Sequence, residues 1–163
     1  MIQRPVLYIH ESPHPGNPLG SNMHAILSLQ NRVIGAALDG NILQVIKSGE
    51  DAGRVARDLA EFATDQGGVV CVRSGWRVGE DGQNLSWLPE SRTLFEKIVD
   101  AFVDISRSTR SLNLELWIIP HNGDVISDVP STASLLRRNS DDPVRVAISP
   151  RALFAPSMIR NVE

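Results

Sequence analysis

Short apolar runs alternate with longer amphipathic stretches along this chain, and no other feature restricts the fold as much. Five runs read as strands, at 5–10, 42–47, 69–73, 112–119 and 144–149. Most are continuously apolar, as expected of a parallel sheet covered on both faces. Four intervening stretches, 22–38, 51–64, 89–108 and 130–138, read as helices. In the first, Met23, Ile26, Leu27, Val33, Ile34 and Ala37 fall on one stripe, Ser21 stands at the N-cap position and Gly40 lies just past the end. The second carries Val55, Leu59 and Phe62 at helical steps. In the third, Leu94, Phe95, Ile98, Phe102 and Ile105 oppose Glu96, Lys97, Asp100 and Asp104, and Pro89 fits the first turn. The fourth is short, with Leu135 and Leu136 expected to face inward. Strand followed by helix four times, closing on a strand, predicts an α/β fold in (βα)4β order. It implies right-handed crossovers and a mainly parallel sheet of about five strands. Residues 1–163 fit a single α/β domain with no linker or low-complexity segment.

Composition narrows the function classes. The net charge is −3 and 42% of residues are hydrophobic. That balance gives no electrostatic case for nucleic acid or an anionic membrane surface, and it argues against wholesale disorder. No segment approaches the length of a membrane-spanning apolar run, and the first residues lack the charged-then-apolar pattern of a signal peptide. Cys71 is the single cysteine and sits in an apolar run, so it reads as a core residue of a cytoplasmic protein.

The long connections 11–21, 74–88 and 121–129 all follow predicted strands, at the end of a parallel sheet where ligands bind. His10, His14, His24 and His121 fall on that side. His10-Glu11-Ser12-Pro13-His14 has the spelling of a zinc-protease motif, but Pro13 and Pro15 forbid the helix that would put both histidines on one face. The same residues remain available to a metal from an irregular loop, against the simpler reading of a polar strand end and a solvated turn. Gly16 to Ser21 lacks a Walker lysine and dinucleotide-type glycine spacing, and reads as a turn. Trp76 and Trp87 bracket a loop that they either roof over a pocket or pin to the sheet.

From Val69 onward the chain resembles the xylose-isomerase-like TIM-barrel superfamily, which includes sugar-phosphate isomerases and epimerases and endonuclease IV. The likeness is carried by Val70-Cys71-Val72-Arg73-Ser74-Gly75, by Glu90-Ser91 leading into the long helix, and by Leu114-Glu115-Leu116-Trp117-Ile118-Ile119-Pro120-His121-Asn122-Gly123-Asp124. It continues through Val146-Ala147-Ile148-Ser149-Pro150-Arg151-Ala152-Leu153-Phe154 and covers somewhat over half the chain. Strand-end His, Glu and Asp residues of that family bind a divalent metal. Here those positions fall on Arg73, Ile119 and Ser149, with a later histidine replaced by Ala152. Only His121, Gly123 and Asp124 keep the family spelling.

The resemblance implies part of a TIM barrel with its metal cage dismantled. It implies a degenerate isomerase- or epimerase-like protein that binds a small polar or anionic ligand, a sugar or sugar phosphate, with no metal cofactor. Arg73 and Arg77 would contact the anion, and His121 and Asp124 would supply hydrogen bonds. Two alternatives stand beside it. One is a non-catalytic interaction module. The other is a metal-dependent isomerase or hydrolase with a relocated site built from His10, Glu11, His14 and His121. Open sheet edges in a partial barrel also predict pairing between copies of the chain.

Overall fold

The computed structural model describes residues 7–10, 22–29, 32–39, 42, 43, 46 and 51–148, with side chains placed at 42, 43, 46 and throughout 51–148. Six strands form one sheet in sequential order. They are β1 (Leu7–His10), β2 (Asn22–Leu29), β3 (Arg32–Asp39), β4 (Val69–Arg73), β5 (Glu115–Ile119) and β6 (Val144–Val146). The first two pairings, β1 with β2 and β2 with β3, are antiparallel; β3–β4, β4–β5 and β5–β6 are parallel. Helices α1 (Asp51–Asp65), α2 (Pro89–Ser108) and α3 (Val129–Arg138) make the three crossovers of the parallel part.

The order is therefore a β-meander followed by three αβ units, and (βα)4β is corrected. The helix expected over 22–38 is a hairpin, in which Leu29 pairs with Arg32 across two residues. Apart from Ile26, its first arm also reads at period two, with Met23, Ala25, Leu27 and Leu29 set against Asn22, His24 and Ser28. Gly35 and the β-branched Val33 and Ile34 weaken a helix in the second arm. The strand expected at 42–47 is corrected too: Ile42 and Leu43 form a turn, and Ile46 has no regular structure. All three are buried, so that apolar run serves the core without joining the sheet.

Sequential strand order with right-handed crossovers puts successive helices on one face of the sheet. The core follows that rule. Val55, Ala56 and Leu59 of α1, Phe95, Ile98 and Phe102 of α2, and Leu135 of α3 share one cluster with Val70, Val72, Leu116, Ile118 and Val144 of the strands. Truncating Phe95 or Phe102, both fully buried, costs about 3–5 kcal/mol by loss of burial plus the cavity left behind. Strand alternation sends Val69, Cys71, Trp117 and Ile119 to the opposite face, where they form a second, smaller cluster with Ala147. Arg73 is two residues beyond Cys71 on that same face, at the carboxyl end of β4.

Two tight connections fix where β4 and β5 begin. Gly68, at a φ of 108°, accepts the Glu115 N–H and so starts β4 beside β5. Ser106, in the last turn of α2, donates to the Leu114 carbonyl at 2.9 Å. Helix α3 is tied to α2 by Arg138, which reaches both Asp100 oxygens, and by Arg92, which donates to Ser134.

Candidate functional site

At the carboxyl end of β4, Arg73 meets the turn that follows β5. Its Nε donates to Asp124 Oδ2 at 3.0 Å and its Nη2 donates to Asp124 Oδ1 at 2.6 Å. This is the paired geometry in which a planar guanidinium and a carboxylate match best. The Asp124 side chain is 1% exposed and that of Arg73 is 22% exposed. Asp124 Oδ2 also accepts the Gly75 N–H at 3.3 Å, so the buried carboxylate is satisfied from two sides. The Trp76 ring lies 5.1 Å from Arg73 Cζ, a cation–π contact that holds the guanidinium from a third direction.

The 121–126 turn is built to deliver Asp124 to that place. Asp124 N–H donates to the His121 carbonyl, His121 N–H donates to the Ile126 carbonyl, and Gly123 takes a φ of 88° that favours glycine. Across the gap, Val125 N–H bonds the Gly75 carbonyl at 3.0 Å, and Ile126 N–H bonds the buried Ser74 hydroxyl at 2.8 Å. The 74–88 loop contributes a further clamp, since Asn84 Nδ2 donates to the Gly123 carbonyl at 2.9 Å.

His121 completes the cluster. Its Nδ1 stands 2.8 Å from Arg73 Nη2, 2.7 Å from the Asn122 carbonyl oxygen and 3.7 Å from Asp124 Oδ1. Nε and Nη2 of Arg73 are engaged by Asp124 and His121, whereas Nη1 has no partner among the described residues. The outward chemistry of the cluster is thus a fixed cation with donors to spare, beside a part-exposed imidazole.

Three predicted site residues, Arg73, His121 and Asp124, are brought together. Arg77 is held by its backbone, which bonds the Ser86 hydroxyl and the Leu85 N–H, and its side chain makes no ion pair among the described residues. His10 is the last residue of β1, and three strands separate β1 from β5 in the sheet. Four interstrand steps amount to about 19 Å, so sheet order does not bring His10 to His121. Glu11 and His14 lie outside the described residues. Among the described residues no group of three or more His, Cys, Asp or Glu side chains is placed to hold a metal ion. Cys71 is buried in the second cluster, and burial pushes its thiol up to about 12, which leaves it protonated and inert.

Ser74, Trp76 and Asn84 are the site residues that sequence reasoning missed or left undecided. Trp76, expected either to roof a pocket or to pin its loop to the sheet, lies with its ring against Arg73 of β4. Trp87 is 76% exposed, with its indole N–H on the Asn84 carbonyl at 2.6 Å.

Two other surfaces compete for attention. Arg107, Arg110, Asp142 and Arg145 line a recess of about 460 Å³ at the opposite, amino end of β5 and β6. There Arg107 is paired with Asp142, and Arg145 lies near Glu115. An apolar recess of about 210 Å³ lies between α3 and the ends of β5 and β6, lined by Pro120, Val129, Ala133, Leu136 and Ile148. Among the described residues no helix is long and apolar enough to cross a membrane. No family model, curated protein or solved structure matches this chain.

Proposed function

We propose that this chain binds a small oxyanion, free or as the phosphate of a sugar, at the cluster of Arg73 and His121, as a binding protein and not as a metal enzyme. One observation carries the reading. Arg73 is locked side-on by a buried carboxylate and backed by an indole ring, yet its Nη1 has no partner among the described residues and its side chain keeps 22% exposure. A guanidinium immobilised in advance loses little side-chain freedom when an anion arrives, so more of the contact energy appears as affinity. The position at the carboxyl ends of parallel strands supports it, as ligands of open α/β sheets bind there. The resemblance to sugar-phosphate isomerases is what suggests a sugar phosphate, and Arg73 in place of a metal-binding histidine suggests that the cation is now the protein's own.

Thermal unfolding with sulfate, inorganic phosphate and glucose 6-phosphate tests the reading. Ligand at a hundred times its Kd stabilises by about 2.7 kcal/mol, which is read as a rise of several degrees in Tm. Arg73→Lys keeps the charge but loses the fork and is expected to lose that rise. A wild-type protein indifferent to all three anions would refute the proposal.

The apolar recess favours a second reading, self-association. Val129, Leu136 and Ile148 are 74%, 41% and 67% exposed around it, and exposed apolar surface of that kind marks contact sites. Light scattering at micromolar concentration would give a dimer in the wild type and a monomer for Leu136→Asp. A wild-type monomer would dispose of this reading.

A further inference from the structure

We infer that oxyanion binding at this site is coupled to uptake of a proton by His121, an inference that rests on the proposed binding function. The ground is a conflict at one atom. His121 Nδ1 lies 2.8 Å from Arg73 Nη2, which can only donate, and 2.7 Å from the Asn122 carbonyl oxygen, which can only accept. A ring nitrogen carries either a lone pair or a hydrogen, so it satisfies one of these neighbours at a time.

In the neutral ring with its hydrogen on Nε2, Nδ1 accepts from Arg73. In the imidazolium both nitrogens donate, so Nδ1–H bonds the Asn122 carbonyl and opposes Arg73 Nη2. Arg73 cannot retreat, because both its Nε and its Nη2 are held by a carboxylate that is 1% exposed. The imidazole, 36% exposed, is the partner free to move. The charged groups facing His121 within ion-pair distance among the described residues are Arg73 from β4 and Asp124 from its own turn. They flank the ring with opposite charges, and the Asp124 oxygens are already engaged by Arg73.

Protonation therefore leaves one Arg73 Nη2–H without its acceptor, next to a second cation. An oxyanion supplies both missing partners: it accepts that hydrogen and it balances the imidazolium. Proton and anion drive the same rearrangement, so each strengthens the binding of the other to an equal extent.

The test is calorimetric titration with sulfate, whose own protonation does not change near neutral pH, in two buffers of different ionisation enthalpy. The expected result is a buffer-dependent heat that reports net proton uptake, with affinity rising as pH falls by at most about tenfold per unit, the limit for one linked proton. His121→Gln should abolish the uptake and flatten the pH dependence. Sulfate binding with no buffer-dependent heat would overturn the coupling and leave the binding function standing. Indifference to sulfate, inorganic phosphate and glucose 6-phosphate alike would overturn both. A ligand-free measurement stands independently: imidazole nitrogen spectra of the neutral protein should show the hydrogen of His121 on Nε2, and finding it on Nδ1 would overturn the inference.

Discussion

Arg73 and Asp124, 51 residues apart in sequence, are joined by two parallel hydrogen bonds that fasten the turn after β5 to the end of β4. Removing one partner of a buried pair leaves the other charge uncompensated, which costs more than the pair contributes. Asp124→Asn should lower stability to urea by about 3 kcal/mol. It should also loosen Arg73 and weaken sulfate binding. A loss of under about 1 kcal/mol, the range of exposed pairs, would show that the pair is solvated and not structural.

How legible this was in the sequence differs along the chain. The α1 and α2 stripes declared themselves because each buries one face only. Leu94 and Phe95 sit on the α2 stripe, and α2 spans the whole of the predicted 89–108. The 22–39 hairpin is ambiguous in the sequence because Met23, Ile26, Leu27, Val33, Ile34 and Ala37 satisfy a helical stripe as well as two strands, and only tertiary pairing decides between them. His121 and Asp124 could be named from the resemblance and Arg73 from its departure from it, but their convergence depends on β4 and β5 being neighbours. Asn84 gave no signal beyond being an asparagine in a loop, although it connects the 74–88 loop to Gly123.

The start of α3 predicts a pH-dependent stability. Asp128 is the N-cap: it accepts the Ser131 N–H at 2.7 Å, while the Ser131 hydroxyl accepts from the Asp128 N–H. Side-chain bonding with Ser131, then its backbone N–H, holds the Asp128 carboxyl below the usual carboxylate range. A depressed folded-state pKa means that the stabilisation is present above the unfolded-state pKa and is lost as pH falls through the folded one. Asp128→Ala should cost about 1 kcal/mol at neutral pH. Denaturant curves of the two proteins should draw together in acid. A gap that stays constant with pH would show that the carboxylate's charge plays no part.

Cys71 should resist thiol reagents for as long as the sheet is intact. Its thiol is buried on the second face and pushed up to about 12, so almost no thiolate forms at neutral pH. Reaction with a disulfide reagent should follow global unfolding, and its rate should rise with urea. Rapid stoichiometric modification of the native protein would mean that this face opens locally.

Two glycines with positive φ should respond unequally to a methyl group. Gly68 and Gly82 sit at φ of 108° and 80°. A Cβ on Gly68 would meet the Asn113 carbonyl oxygen at 3.2 Å, whereas a Cβ on Gly82 meets nothing within 4 Å. Gly82→Ala should cost only the backbone term of about 1 kcal/mol. Gly68→Ala should cost more, since the backbone around Asn113 must shift and the bond from Glu115 N–H to the Gly68 carbonyl is disturbed. Equal losses in thermal unfolding would contradict the described approach of β4 to β5.

The central claim, an oxyanion held by Arg73 beside His121, is tested most directly by following arginine side-chain resonances while sulfate is added. The Arg73 Nε–H signal should move and saturate, with the backbone signals of Gly75 and Asp124 following at the same midpoint. Saturable shifts confined to Arg107, Arg110 and Arg145 at the opposite end of the sheet, or no saturable shift at any arginine, would contradict it.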